Sequence, residues 1–172
     1  KNNKTNKIEY LESPIEDSGL KDETIDVITC SHIYEHVPSD LVLVDEIYRL
    51  LKPGGICYLA AGNKYNIVEA HYKLPFLSYF PKKVADAYIR LFTDEKEYYE
   101  KHRSLSGLKK LVSRFNIHDY TLKIIKYPSK FSAEEMLKEG TPKYYFYNLI
   151  ALFGYFFIPT YVWIIEKPIK DK

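Results

Sequence analysis

Residues able to move a proton or bind a metal lie close together where an apolar run ends. They are His32, Glu35 and His36, spaced as H-x-x-E-H. Imidazole titrates near neutral pH, so His36 is a candidate general base for taking a proton from a hydroxyl group. His71, in a separate polar and aromatic stretch, is a second candidate for the same role. The pattern indicates proton-transfer chemistry near the end of the apolar run.

The H-x-x-E-H spacing also raises the alternative of a metal site. Histidines four residues apart ligate zinc when both project from one face of a helix, as in some zinc proteases. Here the motif begins at the end of a predicted strand and runs into a turn before Pro38, which does not favour a helix. We therefore predict no metal site, and a structural or substrate-facing role for the motif. Two other histidines, His102 and His118, are expected at the surface.

The pattern of apolar residues predicts the elements that position these side chains. Residues 25–30 and 56–61 are short, nearly continuous apolar runs, as in buried strands. Between them, residues 38–52 carry apolar side chains at helical spacing, and Ser39 is a suitable N-cap. A succession of strand, helix and strand predicts two parallel neighbours and an α/β fold.

The predicted parallel strands bring polar residues to one edge of the sheet. Cys30, Ser31 and His32 end the first strand, and Gly62 ends the second. Ligands of open parallel sheets bind at the carboxyl ends of the strands. These residues are therefore expected to border a common crevice, although Cys30 is not expected to act as a nucleophile because nothing nearby activates it.

The rest of the chain is predicted as one domain, residues 1–172, with two insertions. Residues 64–103 form a helical lid, in which the charged run 94–103 is a solvated helix face, and residues 133–157 form a helix before the last strand. Further elements follow from periodicity: strands at 8–12, 118–127 and 160–166, and a helix at 104–115. Residues 144–165 carry no charge, so a membrane span is an alternative to a buried helix followed by a strand.

Composition excludes several classes of function. The 172 residues carry a net charge of +2, which leaves no basic footprint for nucleic acid. The seven glycines include neither a dinucleotide-binding fingerprint nor a phosphate-binding loop. Both cysteines lie in apolar runs and are expected to be buried thiols of a cytoplasmic protein.

Four sequence pieces, in this order and spacing, resemble the class I S-adenosylmethionine-dependent methyltransferases. They are Ile-Asp-Val-Ile at 25–28, Glu-His-Val at 35–37, the helix residues 46–52, and Lys-Pro-Gly-Gly at 52–55. The similar enzymes are of the small-molecule type that includes the ubiquinone-biosynthesis methyltransferases. The resemblance implies a Rossmann-like sheet, seven-stranded when complete, mostly parallel and with an antiparallel last strand. Residues 69–81 are similar to a lid of a bacterial subset.

The same resemblance implies S-adenosyl-L-methionine as cofactor and assigns residues to it. Ile15, through its backbone N–H, and Glu16 lie where the family's loop meets the adenine. Cys30 and Ser31 match the strand end that contacts the methionine part. His32, Tyr34 and His36 then face cofactor or substrate. The family commonly has Asp before Ile15, whereas this chain has Pro14, so no side-chain bond to the adenine amine is expected there.

The resemblance also implies what to expect of the whole protein. The family's cofactor glycine loop and ribose-binding acidic residue precede the part matched here, so the sequence is expected to be about the C-terminal two-thirds of such an enzyme, inactive alone. The acceptor is a small molecule, and the aromatic C-terminal stretch favours an apolar or lipid-linked one. A cytoplasmic protein with contact to a membrane surface is expected. The alternative function is a noncatalytic module of this fold that serves a partner or a membrane.

Overall fold

A computed structural model gives the fold of the chain and describes residues 8–169. Four strands form one sheet: β1 (Ile25–Ser31), β2 (Leu51–Gly62), β3 (Asn116–Asp119) and β4 (Thr160–Glu166). The helices are α1 (Asp40–Leu50), α2 (Lys82–Phe92), α3 (Leu105–Leu111), α4 (Thr121–Lys126) and α5 (Pro142–Phe153). Helices and strands thus alternate through much of the chain.

The strand order within the described sheet is β1-β2-β4-β3. β1 and β2 are parallel, with Cys30 opposite Leu59, whereas β4 runs antiparallel to both β2 and β3. Three strands therefore point one way and the last strand along the chain points the other way. This confirms the predicted α/β fold with an antiparallel last strand.

Helix α1 makes the crossover between the two parallel strands. Its N-cap is Ser39, whose hydroxyl oxygen accepts a hydrogen bond from the Val42 N–H at 3.3 Å. The buried side chains recur at helical spacing and pack on the sheet: Leu43, Val44, Ile47 and Leu50. Burial of such side chains contributes about 1.5–3 kcal/mol each. The helix thereby connects the end of β1 to the start of β2.

Several predicted elements differ from the structure. Residues 8–12 form no strand in the structure, and Tyr10 is almost fully exposed. The predicted strand 118–127 is wrong beyond Asp119, whose carboxylate accepts the Thr121 N–H at 2.9 Å and starts α4. The predicted helix 133–157 is shorter, because Gly140 has φ +79° and Pro142 opens α5.

The uncharged stretch 144–165 divides between two elements. It covers most of α5, a short 3-10 turn at Tyr155–Phe157, and most of β4. Among the described helices, none combines the length and the apolar character that crossing a bilayer requires. The division into a helix followed by a strand is therefore confirmed, but the expectation of a buried helix is wrong, because no residue of α5 is buried.

A partly buried ion pair ties α1 to the segment before α3, and this leads to a prediction about stability. The Arg103 guanidinium donates to both carboxylate oxygens of Asp40, with Nη2 2.8 Å from Oδ1. We expect Asp40→Asn to lower the free energy of unfolding by about 1–2 kcal/mol, because a bidentate charged hydrogen bond is lost. The matched control is Asp45→Asn, which breaks an exposed pair on the same helix and is expected to cost at most about 0.5 kcal/mol.

The same pair predicts a pH dependence. The Arg103 side chain holds the pKa of the Asp40 carboxyl below its usual range, against a smaller opposing effect of burial. The folded state therefore binds this proton less readily than the unfolded state, whose pKa is about 3.9. The stabilisation is present above about pH 4 and is lost as pH falls through the lower folded pKa. Urea unfolding should show the gap between wild type and Asp40→Asn closing as the pH falls below about 4; a constant gap would contradict the assignment.

Candidate functional site

A cavity of about 260 Å³ lies at the carboxyl end of β1. Ile15, Glu16 and Cys30 line it, so the structure brings together three of the five residues predicted to bind a cofactor. Its other walls are largely apolar: Ile28, Ile33, Val37, Leu43 and Ile47. Such a cavity suits a flat apolar ring with a few polar contacts at its edge.

The other two predicted cofactor residues lie differently. Ser31 ends β1 and is exposed. His32 follows it with φ +51° and lines a second, smaller cavity together with Gly62. The two residues therefore lie at the rim of the sheet edge, outside the lining of the first cavity.

Cys30 is unsuited to nucleophilic chemistry, as predicted. The thiol is buried, and burial, with a smaller contribution from the negative charge of Glu35, raises its pKa to about 11. Since the thiolate is the nucleophile, little of it forms near neutral pH. Cys57 is likewise a buried free thiol, with its pKa raised to about 12 mainly by burial.

A group of imidazoles and carboxylates, here called the histidine cluster, lies beside the strand ends. Its members are His36, Glu69, His71, Glu100 and His102. His36 belongs to the turn after β1, Glu69 and His71 to the loop after β2, and Glu100 and His102 to the extended segment before α3. Three separate stretches of chain thus converge on one place.

Glu69 is the buried centre of the cluster. Its Oε2 accepts the backbone N–H of His71 at 2.7 Å and of Tyr72 at 2.8 Å. Its Oε1 is 2.8 Å from His71 Nδ1 and 3.4 Å from His102 Nε2. Burial opposes ionisation, but the hydrogen bonds from both imidazoles and both amides outweigh it and lower the pKa of Glu69 to about 2. In turn, the hydrogen bond to Glu69 raises the pKa of His71.

The two predicted bases are neighbours. The rings of His36 and His71 meet edge to face with centroids 4.9 Å apart. His36 Nδ1 is 4.0 Å from Glu100 Oε1, and both imidazoles are partly exposed. A hydroxyl group brought to this side of the crevice therefore reaches an imidazole, while their catalytic roles stay predictions.

The H-x-x-E-H residues do not converge on a common point. His32 Nδ1 is 3.2 Å from Glu35 Oε1, whereas His36 turns away towards Glu100 and His71. Burial raises the pKa of Glu35, but the hydrogen bond from His32 and other contacts lower it overall. The motif therefore orders the turn after β1 and contributes only His36 to the cluster.

Tyr34 stabilises the site through the hydrogen bonds of its buried hydroxyl group. Its hydroxyl donates to the Gly62 carbonyl at 2.5 Å and accepts the Arg103 N–H at 2.9 Å, and the residue is only 1% exposed. The expectation that Tyr34 faces a ligand is wrong, because both roles of its hydroxyl are used within the protein. It joins the end of β2 to the chain that carries His102.

Two expectations about the lid segment are wrong. His102 was expected at the surface, yet its side chain is 8% exposed. The run 94–103 is not a helix, and it turns Tyr98 and His102 inwards because its extended path follows the sheet edge. Glu69, Glu100 and His102 were therefore not predicted from the sequence, in which the spacing of Glu69 two residues before His71 is the local signal.

Comparison with known sequences finds similarity to methyltransferases in the first third of the chain. Residues 1–59 match the family model described as a methyltransferase domain. A ubiquinone biosynthesis O-methyltransferase of Psychrobacter cryohalolentis is 41% identical over 58 residues, which are 30% of this chain and 23% of that protein. The one from Vibrio parahaemolyticus is 37% identical over 59 residues, 34% of this chain and 25% of its own length. The match thus spans about a quarter of the length of these relatives.

Comparison with solved structures shows that the fold is similar to a methyltransferase over most of the chain. The SAM-dependent methyltransferase of Methanosarcina mazei superposes with a TM-score of 0.52 at 18% identity, covering 92% of this chain and 66% of that one. This confirms the predicted fold class. The predicted resemblance to class I methyltransferases is confirmed as well, by sequence at the N-terminal side and by fold across the chain.

Proposed function

We propose that the protein transfers a methyl group from S-adenosylmethionine to a hydroxyl group of a small molecule. The observation that carries the proposal is the pairing of an apolar cavity at the end of β1 with two imidazoles beside it. Three further observations support it: the methyltransferase-domain match, the O-methyltransferase names of the relatives, and the SAM dependence of the Methanosarcina mazei protein.

The residues at the cavity fit the cofactor in a defined way. The short turn that begins at Ile15 has no side-chain cap, so its first N–H groups are free to meet a heterocycle edge. Glu16 lies beside it, and Cys30, Ser31 and His32 lead from the cavity towards the cluster. We assign the adenine to the Ile15 end and the methionine part to the β1 end.

The reaction requires that the acceptor hydroxyl be positioned beside the methyl group and that a nearby group take its proton. When bound, S-adenosylmethionine supplies an electrophilic methyl group: the acceptor oxygen forms an O–C bond while the S–C bond breaks, and that bonding pair stays on sulfur. His36 or His71 takes the hydroxyl proton. Glu69 holds the His71 ring in place through Nδ1, which leaves Nε2 directed away from the carboxylate. Orientation in a closed site contributes much of the rate when the acceptor is already nucleophilic.

Ile15→Pro tests the assignment of the adenine. Pro14 has φ −56° and ψ 154°, the extended conformation that a following proline requires, and proline is tolerated at the first position of a helical turn. The variant therefore removes the N–H with little strain. Ile15→Ala loses the side chain but keeps the N–H. By calorimetry we expect S-adenosylmethionine to bind about 3- to 10-fold more weakly to Ile15→Pro than to Ile15→Ala.

The outcomes separate the assignment from the function. Equal affinities of the two variants would show that the Ile15 N–H does not contact the cofactor. Failure of the folded full-length protein that contains this sequence to bind S-adenosylmethionine at all would overturn the methyltransferase proposal. It would favour the noncatalytic module instead.

We further propose contact with a membrane surface through α5, in a protein of the cytoplasm whose acceptor is apolar or lipid-linked. The outer face of α5 exposes a series of large apolar side chains: Tyr145, Phe146, Leu149, Leu152 and Phe153. Sedimentation with anionic phospholipid vesicles should show less binding for Leu152→Glu than for wild type. Leu91→Glu on α2 is the matched control, since Leu91 and Leu152 are both 77% exposed. An equal loss in both variants would contradict a role for α5.

A further inference from the structure

We propose that Glu69, His71 and His102 form a binding site for a divalent metal ion of the zinc type. Each residue offers one ligand atom, and these atoms all lie within 4.8 Å of one another. Two imidazoles and one carboxylate are a donor set that zinc takes in catalytic sites, with a fourth position left for water or substrate.

The distances fit a shared ion. Ligand atoms at ~2.0–2.1 Å from a tetrahedral zinc stand roughly 3.3–3.4 Å from one another. Glu69 Oε1 is 3.4 Å from His102 Nε2, which is long for a hydrogen bond and right for two ligands of one ion. Glu69 Oε1 is 2.8 Å from His71 Nδ1, so this pair opens by about half an ångström when an ion replaces the proton between them.

The Glu69 carboxylate is already oriented by hydrogen bonds within the protein. Glu69 uses Oε2 for the backbone N–H groups of His71 and Tyr72, which leaves Oε1 pointing at the two imidazoles. Hydrogen bonds of this kind to ligating carboxylates fix their direction and raise affinity. Glu69 is also buried, so its charge is poorly screened by water.

Two buried atoms without partners supply an independent observation. His102 Nδ1 and Glu35 Oε2 find no hydrogen-bond partner among the described residues. Ligating histidines ordinarily donate their other ring N–H to a carboxylate. Gly62 lets the two side chains approach, because a Cβ there would lie 2.9 Å from His102 Nδ1 and 3.3 Å from Glu35 Oε1. Binding through Nε2 fixes the proton on Nδ1, the ring atom that lies against Gly62.

The space beside the three ligands accommodates the ion and a fourth ligand. A cavity of about 40 Å³ is lined by Glu69, His71 and His102 together with Glu35. This exceeds the roughly 10–15 Å³ that one water molecule needs. Two carboxylates of the lining, Glu35 and Glu69, are both buried and make the cavity favourable for a cation.

The proposed metal site gives His36 and His71 different roles. With His71 Nδ1 on the ion, His71 is a ligand, and His36 remains the imidazole that takes a proton from the acceptor. The site rests on the geometry of the cluster and not on the proposed methyl transfer, so each can fail without the other.

Metal titration of the chelator-stripped protein tests the proposal. We expect the wild-type protein to bind one equivalent of Zn²⁺ by calorimetry, and Co²⁺ to give the visible absorption of a four-coordinate ion. Glu69→Gln, His71→Gln and His102→Gln should each weaken binding at least about tenfold, since losing even an outer-shell partner costs 10–100-fold. Zn²⁺ should also raise the melting temperature of wild type but not of these variants.

Controls come from neighbouring histidines. His32→Gln and His36→Gln should keep wild-type affinity for Zn²⁺. If one ligand variant fails to fold, the other two and the Co²⁺ spectrum of wild type still decide the question. Absence of binding to folded wild type overturns the proposal. So does loss of binding in His36→Gln with retention in His102→Gln, which would place the ion among His36, His71 and Glu100.

Discussion

Tyr34→Phe is expected to lower the free energy of unfolding by about 2–3 kcal/mol. The hydroxyl of Tyr34 is buried and serves two backbone groups at once, the Gly62 carbonyl and the Arg103 N–H. Phenylalanine fills the same space but removes both hydrogen bonds, and buried backbone groups left without partners cost about 1–3 kcal/mol. Urea unfolding of the two proteins measures the difference.

The matched control for this prediction is Tyr99→Phe. Tyr99 is largely exposed, so its hydroxyl exchanges partners with water and the change is expected to stay within about 0.5 kcal/mol. Because Tyr34 anchors the residue that follows His102, the Tyr34→Phe protein should also bind Zn²⁺ more weakly than wild type. Wild-type stability of Tyr34→Phe would show that water replaces the hydroxyl at no cost, and would contradict the supporting role of Tyr34.

The part of the fold between β1 and β2 was predictable because its signals are local. The apolar runs, the Ser39 cap and the helical spacing of α1 each specify the same conformation, and the residues bury one another. Residues 8–12 show the limit of this argument. Their alternating pattern is typical of a strand, but a strand also needs a partner with free backbone groups. The periodicity of a segment does not indicate whether such a partner strand is present.

The prediction of a strand over residues 118–127 was wrong for a related reason. A short apolar pattern does not distinguish a strand from a turn of helix. Here the Asp119 carboxylate accepts the Thr121 N–H at the point where the chain leaves β3 and enters α4. The burial of Ile125 in the main core then holds α4 in place. Tertiary packing overrides a short local pattern of this kind.

The site was only half predictable, because its members come from three stretches far apart in sequence. His36 and His71 were found because imidazole chemistry is rare and specific. Glu100 and His102 lie in a charged run, and such runs are usually solvated. Only the path of the chain over the sheet edge, held by the Arg103 contacts with Tyr34 and Asp40, turns His102 inwards.

His36→Gln is expected to lower kcat for methyl transfer by about 10²–10⁴-fold, the usual contribution of a positioned general base. The His36 ring lies against His71 on the open side of the cluster, where an acceptor hydroxyl arrives. Glutamine keeps a polar side chain but cannot take the proton. Because His36 is not among the residues lining the cavity assigned to the cofactor, the affinity for S-adenosylmethionine should change by less than about twofold.

The measurement, made on the full-length protein that contains this sequence, is transfer of a labelled methyl group from S-adenosylmethionine to a panel of small phenols and alcohols, with cofactor affinity determined in parallel. His118→Gln is the matched control, since His118 is exposed and pairs with Glu166 on β4, away from the cluster. A fall in kcat with unchanged cofactor and Zn²⁺ affinity identifies His36 as the proton acceptor. An unchanged kcat in His36→Gln would instead mean that His71 takes the proton or that the acceptor arrives already ionised.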